Sequence, residues 1–572
     1  MGNKKGKQLV CHICNAKIIN IKTKKDLIFT FSCLPLTIYE LSTLMYINKE
    51  WNVAAVSIIG VYKAIPYKCS YEKWSGLERR LLQNHWKEFA CHGRWMVQAI
   101  RGLYGICKIE KVVRYYKEEY DHLYACSDLF CMGNCNGMSP FDILELITAF
   151  PSAKLLNIPE MEAWVGQMIS NLDSKWMKIL LPLIFQTDNT PAMQRIINNN
   201  VIPAVVKDLD MAYAFFFECH FLTSSCTSQN RVYYRALMDR FIGSLTETME
   251  TELDNSERLL FHLKQPDKLV KEVVYNCLAP WDTTKRIYYI YVEQIRRLNT
   301  NTAPWIVPIQ YVNGETVELL IKHDDLRKDK FVVNVENILE ELNSTFVFKH
   351  YNIMPITKDY GVIEMIDEAT TLFEINKTTT LQNYIIQHNM NLTSNQIRRK
   401  FLFSCASNCI LTYMLGVGDR NLGNIIITKD CHMTHIDFSY LLGHDPKSES
   451  LTEMRITPGM VDILGGKDSK EFGELKSLCS ILFRSVKMNT YFWYSYFSYL
   501  CKSDPPIYPH NDDADALKAH LESRLMPESS MEEVEIEIVN IVDKNSSSKV
   551  AGWLDWAHSL KATAEEYIFD MD

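Results

Sequence analysis

Between Tyr413 and Gly443 the chain reads YMLGVGDRNLGNIIITKDCHMTHIDFSYLLG, and few folds accommodate such a run. Ile425-Ile426-Ile427 has the pattern of a short buried strand, Lys429-Asp430 that of a turn. The residues up to His435-Ile436-Asp437-Phe438 read as a second strand. Asn424 follows Asp419 by five positions, and Asp437 follows Asn424 by thirteen. A strand–turn–strand unit between two polar segments predicts that Asn424 and Asp437 face a common space. Their oxygens are hard donors of the kind Mg²⁺ prefers, and Asp419 is a carboxylate able to take a proton.

Composition bounds the rest. The 572 residues have room for roughly two to four domains. A chain that is 47% hydrophobic and 23% charged is ordinary for a globular protein. The net charge of −8 argues against a basic nucleic-acid-binding surface, so no nucleic acid is expected as a partner. The longest apolar runs, such as Ile179–Phe185 and Ala212–Phe217, fall far short of the ~20 residues of a spanning helix. The lysine-rich start lacks a long apolar core, so a secretory signal is not expected, and a cytoplasmic or membrane-surface protein is. Seventeen cysteines then read as reduced thiols. His122, Cys126, Cys131 and Cys135 have zinc-ligand chemistry but irregular spacing, and Cys11-x-x-Cys14 lacks a partner pair. Met1–Lys7 begins like a myristoylation sequence, with Gly6 where Ser or Thr is preferred, and reads as a solvated terminus.

Residues 1–125 mix β-like runs (Leu27–Cys33, Val53–Tyr62) with a helical stretch, Trp74–Phe89. From about Ser139 to Leu263 short apolar-periodic helices follow one another: Met161–Leu172, Ser174–Phe185, Pro191–Asn198 and Asp208–Leu222. Their succession predicts a stacked helical module. After Ala279-Pro280 the pattern changes. Ile309–Lys322 reads as a hairpin turning at Val312-Asn313-Gly314-Glu315. A helix (Lys330–Asn343), strands at Thr345–Tyr351 and Tyr360–Ile366, and an amphipathic stretch (Ser394–Leu415) precede the opening segment. A small β-rich lobe followed by a helical lobe is the plan of a kinase.

Phosphoryl transfer asks little covalent chemistry of a protein. It needs ATP positioned, a divalent cation held against the phosphates, and a base near the accepting hydroxyl. Asp419 and Asn424 stand at the spacing of base and metal ligand in the kinase catalytic loop, and Asp437-Phe438-Ser439 stands where kinases place D-F-G. Lys322 ends a strand, as a phosphate-binding lysine does. Asp324 and Asp329 follow it at the opening of a helix, and Gly361–Ile366 has the character of the strand linking two lobes, with Glu364 and Ile366 offering backbone groups to adenine.

These residues resemble the phosphatidylinositol 3/4-kinase family. Its pattern Lys-x-Gly-Asp-Asp-Leu-Arg-Gln-Asp reads here as Lys322-His323-Asp324-Asp325-Leu326-Arg327-Lys328-Asp329. The likeness is greatest to the class III, vacuolar-sorting type of phosphatidylinositol 3-kinase, through Leu442-Gly443-His444-Asp445-Pro446-Lys447 and Met460-Val461-Asp462-Ile463-Leu464-Gly465-Gly466. The resemblance implies an α+β fold: a two-lobed, protein-kinase-like catalytic domain (271–572) preceded by an α-helical accessory solenoid (131–270). Residues 1–130 would be a reduced lipid-binding β-sandwich. It further implies ATP with Mg²⁺ (or Mn²⁺), phosphatidylinositol as substrate and a product phosphorylated on the 3-hydroxyl. Asp419, Arg420 and Asn421 would be catalytic, Asn424 and Asp437 metal ligands. Thr300, Thr302, Lys322, Asp324, Asp329, Glu364 and Ile366 would bind nucleotide. A regulatory protein-kinase-like subunit and coiled-coil adaptors, on endosomal, vacuolar or autophagic membranes, are the partners and place it implies. In the family the activation segment selects the headgroup. Here Ser439–Ile456 carries only Lys447 and Arg455 against Asp445, Glu449 and Glu453, which favours the unphosphorylated inositol ring. The stripe Val550, Trp553, Leu554, Ala557, Leu560, Ala564 and Ile568 predicts a terminal helix facing either membrane or the kinase lobe.

Four departures stand out. Asn421 replaces the family's histidine and cannot carry a proton, a loss worth about 10²–10⁴ in rate where acid–base help is removed. Ser439 replaces the glycine of D-F-G, which predicts a stiffer segment. The glycine after His323 is missing, and the loop Asn299–Pro304 keeps hydroxyls but has no lysine, predicting a weaker phosphate grip. The readings carried forward are a working 3-kinase, a 4-kinase of the same family, and a pseudokinase scaffold.

Overall fold

The computed structural model describes residues 9–10, 17–18, 74–89, 93–105, 107–125, 140–148, 152–186, 190–269, 274–298, 302–444, 453–504, 507 and 514–547. The β-like runs of 27–33 and 53–62, Cys11, Cys14, Cys126, Cys131, Cys135, Thr300, Lys447 and the stripe of 550–568 lie outside the described residues, as does the side chain of His122. The chain divides into two compact units, Met1–Ala212 with Tyr491–Lys502, and Tyr213–Thr490 with Ser503–Asp572.

The described part of the first unit is almost wholly helical. Pro159–Ser170, Ser174–Gln186 and Pro191–Ile196 match the periodic segments of the sequence, and prolines open two of them, where a missing N–H costs nothing. Pro203 cannot donate to the preceding turn, and the helix widens into a π-turn over Ile197–Val201. Buried Glu145 accepts from Gln98 at 2.8 Å and pairs with Arg101, so that charge is matched inside the helical core.

Apart from the two-stranded pairing of Leu9–Val10 with Lys17–Ile18, the described sheets lie in the second unit. Its helices α1 (Ser228–Ile242) and α2 (Glu247–Leu263) precede strands β1 (Val274–Ala279), β2 (Asp282–Ile290), β3 (Arg296–Arg297), β4 (Trp305–Tyr311) and β5 (Thr316–Lys322). Helix α3 (Arg327–Leu342) separates them from β6 (Ile353–Thr357) and β7 (Tyr360–Glu364). The sheet is antiparallel in the order β1-β2-β4-β5-β7-β6, with β3 beside β4. The expected hairpin is present: Gln310 pairs with Thr316, and Gly314 turns the chain with φ +91°. Gly361 lies opposite Lys322, and a Cβ there would stand 2.5 Å from Leu326 Cδ1. Only glycine lets the start of α3 pack so close behind the sheet. The change from helix to strand falls between Leu263 and Val274, but α1 and α2 belong with the sheet. Ser256 donates to the Leu278 carbonyl at 3.0 Å, and the Tyr360 hydroxyl to that of Leu260 at 3.0 Å.

One expected strand is not formed. Thr345–Tyr351 is irregular because side chains take its backbone: Asn343 Oδ1 accepts from Thr345 N–H, Ser407 Oγ from Val347 N–H and Glu340 from Phe348 N–H.

The helical part follows. Strand β8 (Ala369–Thr371) leads to α4 (Leu372–Thr378), α5 (Leu381–His388) and α6 (Ser394–Leu415). Then come β9 (Ile425–Thr428) and β10 (Met433–His435), which form a three-stranded sheet with β8. Helices α7 (Pro458–Ile463), α8 (Lys470–Lys487), α9 (Ala514–Leu525) and α10 (Met531–Ser546) complete the unit. Helix α6 opens with a capping box from Thr393 and Gln396 and ends at Gly416, left-handed at φ +54°. It is buried nearly throughout its second half, polar residues included. Asn408 explains why. Its amide donates to the Met433 carbonyl at 3.0 Å and accepts from His435 N–H at 3.2 Å, while Ser404 Oγ accepts from Met433 N–H at 3.1 Å. Two helix side chains thus replace the missing neighbour strand along the edge of β10.

His520, on α9, seals the end of α6. Its Nε2 lies 3.2 Å from the Met414 carbonyl, and burial lowers its pKa to about 4. A histidine with a depressed folded pKa contributes stability above its unfolded value near 6.5 and loses it as pH falls toward 4. His520→Gln keeps a donor but not the titration. We expect it to remove up to roughly 3 kcal/mol of acid sensitivity between pH 6.5 and 4, read from denaturant melts at both ends of that window. Parallel pH dependence in the two proteins would refute this.

Candidate active site

The loop after α6 and the exit of β10 are laced together. Gly418 N–H donates to the Tyr440 carbonyl at 3.0 Å, and Ile436 N–H to that of Asn424 at 3.1 Å. Arg420 adds the strongest ties. Its Nε donates to the Gly418 carbonyl at 2.8 Å, Nη1 to Ile436 at 3.0 Å and Nη2 to Asp437 at 2.5 Å, and its plane lies over the Phe438 ring. Burial lowers its pKa to about 10, against the raising effect of Asp437, Asp419 and Asp329, so it stays charged. Expected among the catalytic residues, Arg420 spends its donors on the frame.

Asp419 and Asp437 both have left-handed backbones, at φ +47° and +58°. That conformation is uncommon outside glycine and best tolerated by Asp and Asn. It turns the two carboxylates out of the frame that Arg420 holds. Asn421 caps the short turn Leu422–Asn424, accepting Gly423 N–H at 2.8 Å, and its Nδ2 lies 3.3 Å from Asp419 Oδ1. At the histidine's position stands an amide that orients the neighbouring carboxylate.

Asn424 Nδ2 donates to the Asp419 carbonyl at 2.9 Å, which leaves its Oδ1 as the outward atom. Across the space stand Lys322, Asp324 just before α3 and Asp329 in its first turn. Lys322 Nζ lies 3.5 Å from Asp437 Oδ1 and 3.4 Å from Asp324 Oδ2. Burial works to lower its pKa, but the charges of Asp437, Asp329 and Asp324 outweigh it and raise it. Asp437 shows the mirror effect. Burial would raise its carboxyl, yet Lys322, Ser439 and Arg420 hold it below its ordinary value. Asp329 is buried and pushed up to about 6, opposed by Lys322, and its Oδ1 accepts from Phe438 N–H at 3.1 Å.

Residues 316–506 match the family described as phosphatidylinositol 3- and 4-kinase. Over that stretch, a third of the chain, the protein resembles this family. It is 26% identical over 337 residues to phosphatidylinositol 3-kinase VPS34 of Saccharomyces cerevisiae, covering 56% of this chain and 38% of that one. To the Candida glabrata protein of the same name it is 25% identical over 329 residues, covering 56% and 36%. Phosphatidylinositol 3-kinase 2 of Dictyostelium discoideum is 30% identical over 229 residues, 37% of this chain and 12% of that one. The chain thus spans little more than a third of the length of the first two relatives.

A phosphatidylinositol kinase implies ATP and a divalent cation, and the residues present fit both. Asn424 Oδ1 and the Asp437 carboxylate, 45% exposed, are hard oxygen donors, and Lys322 supplies a cation for phosphate. The loop carrying Thr302 is closed at its base by Leu298 N–H to the Pro304 carbonyl at 2.9 Å and Arg297 to that of Ala303 at 2.8 Å. At the linking strand, Glu364 and Met365 N–H groups bond Asn352 and Glu318, and Ile366 is the second residue beyond the strand's end. The Glu364 side chain is bound by Tyr311 at 3.0 Å, Asn352 at 2.6 Å and Lys285 at 3.2 Å, so it fixes the strand rather than reaching outward. Arg455, expected at the headgroup, is 4% exposed, and its Nε donates to the Arg420 carbonyl at 3.0 Å. It supports the catalytic loop from within. The sequence gives no periodic signal for such a role.

Arg420→Lys keeps the charge but cannot span three carbonyls. Leaving two of them without donors is expected to cost about 2–4 kcal/mol and to abolish nucleotide binding, measured by thermal melting and by titration with a fluorescent ATP analogue. A variant that melts and binds like the wild type would contradict the framing role.

Proposed function

We propose that the chain is an ATP-dependent lipid kinase that phosphorylates the 3-hydroxyl of phosphatidylinositol. The observation that carries this reading is the shared frame of Asp419, Asn424 and Asp437 opposite Lys322. Asp419 accepts the hydroxyl proton as the inositol oxygen attacks the γ-phosphorus, whose bond to the β,γ-bridging oxygen breaks to release ADP. Asn424 and Asp437 would hold a divalent cation, which would supply positive charge against the phosphates, and Lys322 would steady them on the side of β5. Unmodified phosphatidylinositol is favoured because the activation segment has few cations, and Arg455 is withdrawn into the frame. The 3-position, and a role on endosomal, vacuolar or autophagic membranes, rest on the names of the relatives and the motifs shared with the class III type. We read the helices of the first unit as the accessory module, and a protein-kinase-like regulatory subunit with coiled-coil adaptors as the partners to seek.

The test is direct. Purified protein is incubated with phosphatidylinositol vesicles, ATP and Mg²⁺ or Mn²⁺, and the position of any added phosphate is determined. Phosphatidylinositol 3-phosphate is expected, and Asp437→Asn, which tolerates the left-handed backbone, should lower turnover at least about a hundredfold. A 4-phosphate would replace the reading with a 4-kinase, and ATP binding without product would make it a scaffold. In Asn421→His an imidazole nitrogen can keep the Gly423 cap while the other faces the phosphate. We expect kcat to rise about tenfold or more, and an unchanged kcat would show that orienting Asp419 is all this position does.

A further inference from the structure

Two departures from the family pattern, Lys328 for glutamine and Ser439 for glycine, meet in space. Lys328, at the second position of α3, donates from Nζ to the Ser439 carbonyl at 2.8 Å. The Ser439 hydroxyl donates to Asp437 Oδ1 at 2.7 Å, and Lys322 Nζ approaches that same oxygen at 3.5 Å. Next to Lys328, Asp329 takes the N–H of Phe438. Successive residues of one helix thus grip successive residues of the metal-binding segment. Both partners of Asp437 fall on Oδ1, so Oδ2 is the oxygen turned to a cation. A glycine at 439 would leave Oδ1 with Lys322 alone among these contacts.

We propose that Lys328 and Ser439 form a clasp that makes Asp437 a one-oxygen ligand, selecting a small, strongly hydrated divalent cation and disfavouring Ca²⁺. The inference rests on the kinase reading. Its chemistry is general: Mg²⁺ is held through single carboxylate oxygens and keeps its waters, whereas Ca²⁺ readily takes both oxygens of one carboxylate. The Ser439 hydroxyl and Lys322, both on Oδ1, compete with a cation for that oxygen and draw off part of the carboxylate charge. Lys328 and Ser439 are positioning residues, acting through Asp437.

The probe is Mn²⁺, followed by electron paramagnetic resonance on the full chain with a non-hydrolysable ATP analogue, with Ca²⁺ as competitor. Ser439→Ala deletes only the hydroxyl, and Ser439→Gly and Lys328→Gln restore the family's residues. All three are checked for folding by circular dichroism. Ser439→Ala and Ser439→Gly should bind Mn²⁺ roughly three- to tenfold more tightly and yield to Ca²⁺ more readily, by a similar factor. Lys328→Gln should shift both in the same direction, and Lys328→Gln with Ser439→Ala by less than the product of the single effects, since the lysine acts partly through the hydroxyl. Weaker Mn²⁺ binding in Ser439→Ala would mean that the serine is itself a ligand, and would overturn the clasp. Unchanged Ca²⁺ competition, or full additivity, would overturn it as well. Lipid phosphorylation is scored separately. The expected shifts without lipid product would sink the kinase reading and leave the clasp standing. Product without the shifts would do the reverse, and a wild type that binds no Mn²⁺ with the analogue would sink both.

Discussion

Three carbonyls converge on the Arg420 guanidinium, and the candidate site depends on that convergence. Gly418 lies in one polar segment, Ile436 and Asp437 in the other. Neither segment has regular structure to fix it, since β9 begins at Ile425 and β10 ends at His435. A planar cation with five donors can bind several carbonyls at set angles, which a lysine cannot. The guanidinium also faces Phe438, and Arg455 binds the Arg420 carbonyl from behind. Burying two arginines side by side is tolerable because their donors meet carbonyl oxygens and because Asp437, Asp419 and Asp329 lie near.

This frame carries a cost. Asp419 and Asp437 sit in left-handed conformations worth about 1–2 kcal/mol each, and Asp329 is buried beside Lys322. The fold gains little from these choices, because no apolar surface is covered by turning either aspartate outward. What results is a surface carrying two carboxylates, one amide oxygen and one lysine, a charge distribution that a cation with phosphate would complete. Strain of this kind persists only where the surrounding network over-determines it, as the Arg420 contacts do here.

Much of this was legible in the sequence, for identifiable reasons. The hairpin β4–β5 was readable because Asn313-Gly314 can turn only one way between alternating apolar residues. The stretch read as amphipathic, Ser394–Leu415, coincides with helix α6, whose ends carry a capping box and a left-handed glycine. Spacing singled out Asn424 and Asp437, and a strand-end position singled out Lys322, whose Nζ lies 3.5 Å from Asp437 Oδ1. The failures have a common cause. The strand expected at Thr345–Tyr351 is apolar and β-branched enough, but Asn343, Ser407 and Glu340 claim its backbone, and such bonds leave no periodic trace. Arg455 and Glu364 carry charge, and charge in sequence reads as exposure. Only the carbonyls and side chains that meet them show that both are internal.

Asn421 shows how a substitution at the centre of the loop is accommodated. A histidine there would contribute a titratable nitrogen; the asparagine contributes geometry. Its oxygen caps the turn Leu422–Asn424 and its nitrogen lies against Asp419, so one side chain sets both the turn that presents Asn424 and the direction of the base. An alanine would lose both at once, and the amide of Asn424 would then hold the Asp419 carbonyl without a fixed turn beneath it. Proton transfer to a carboxylate depends on distance and angle as much as on pKa, because reach comes before driving force. On the proposed reading, a loop that lacks an assisting acid but keeps Asp419 held by Asn421 would lose rate without losing the reaction.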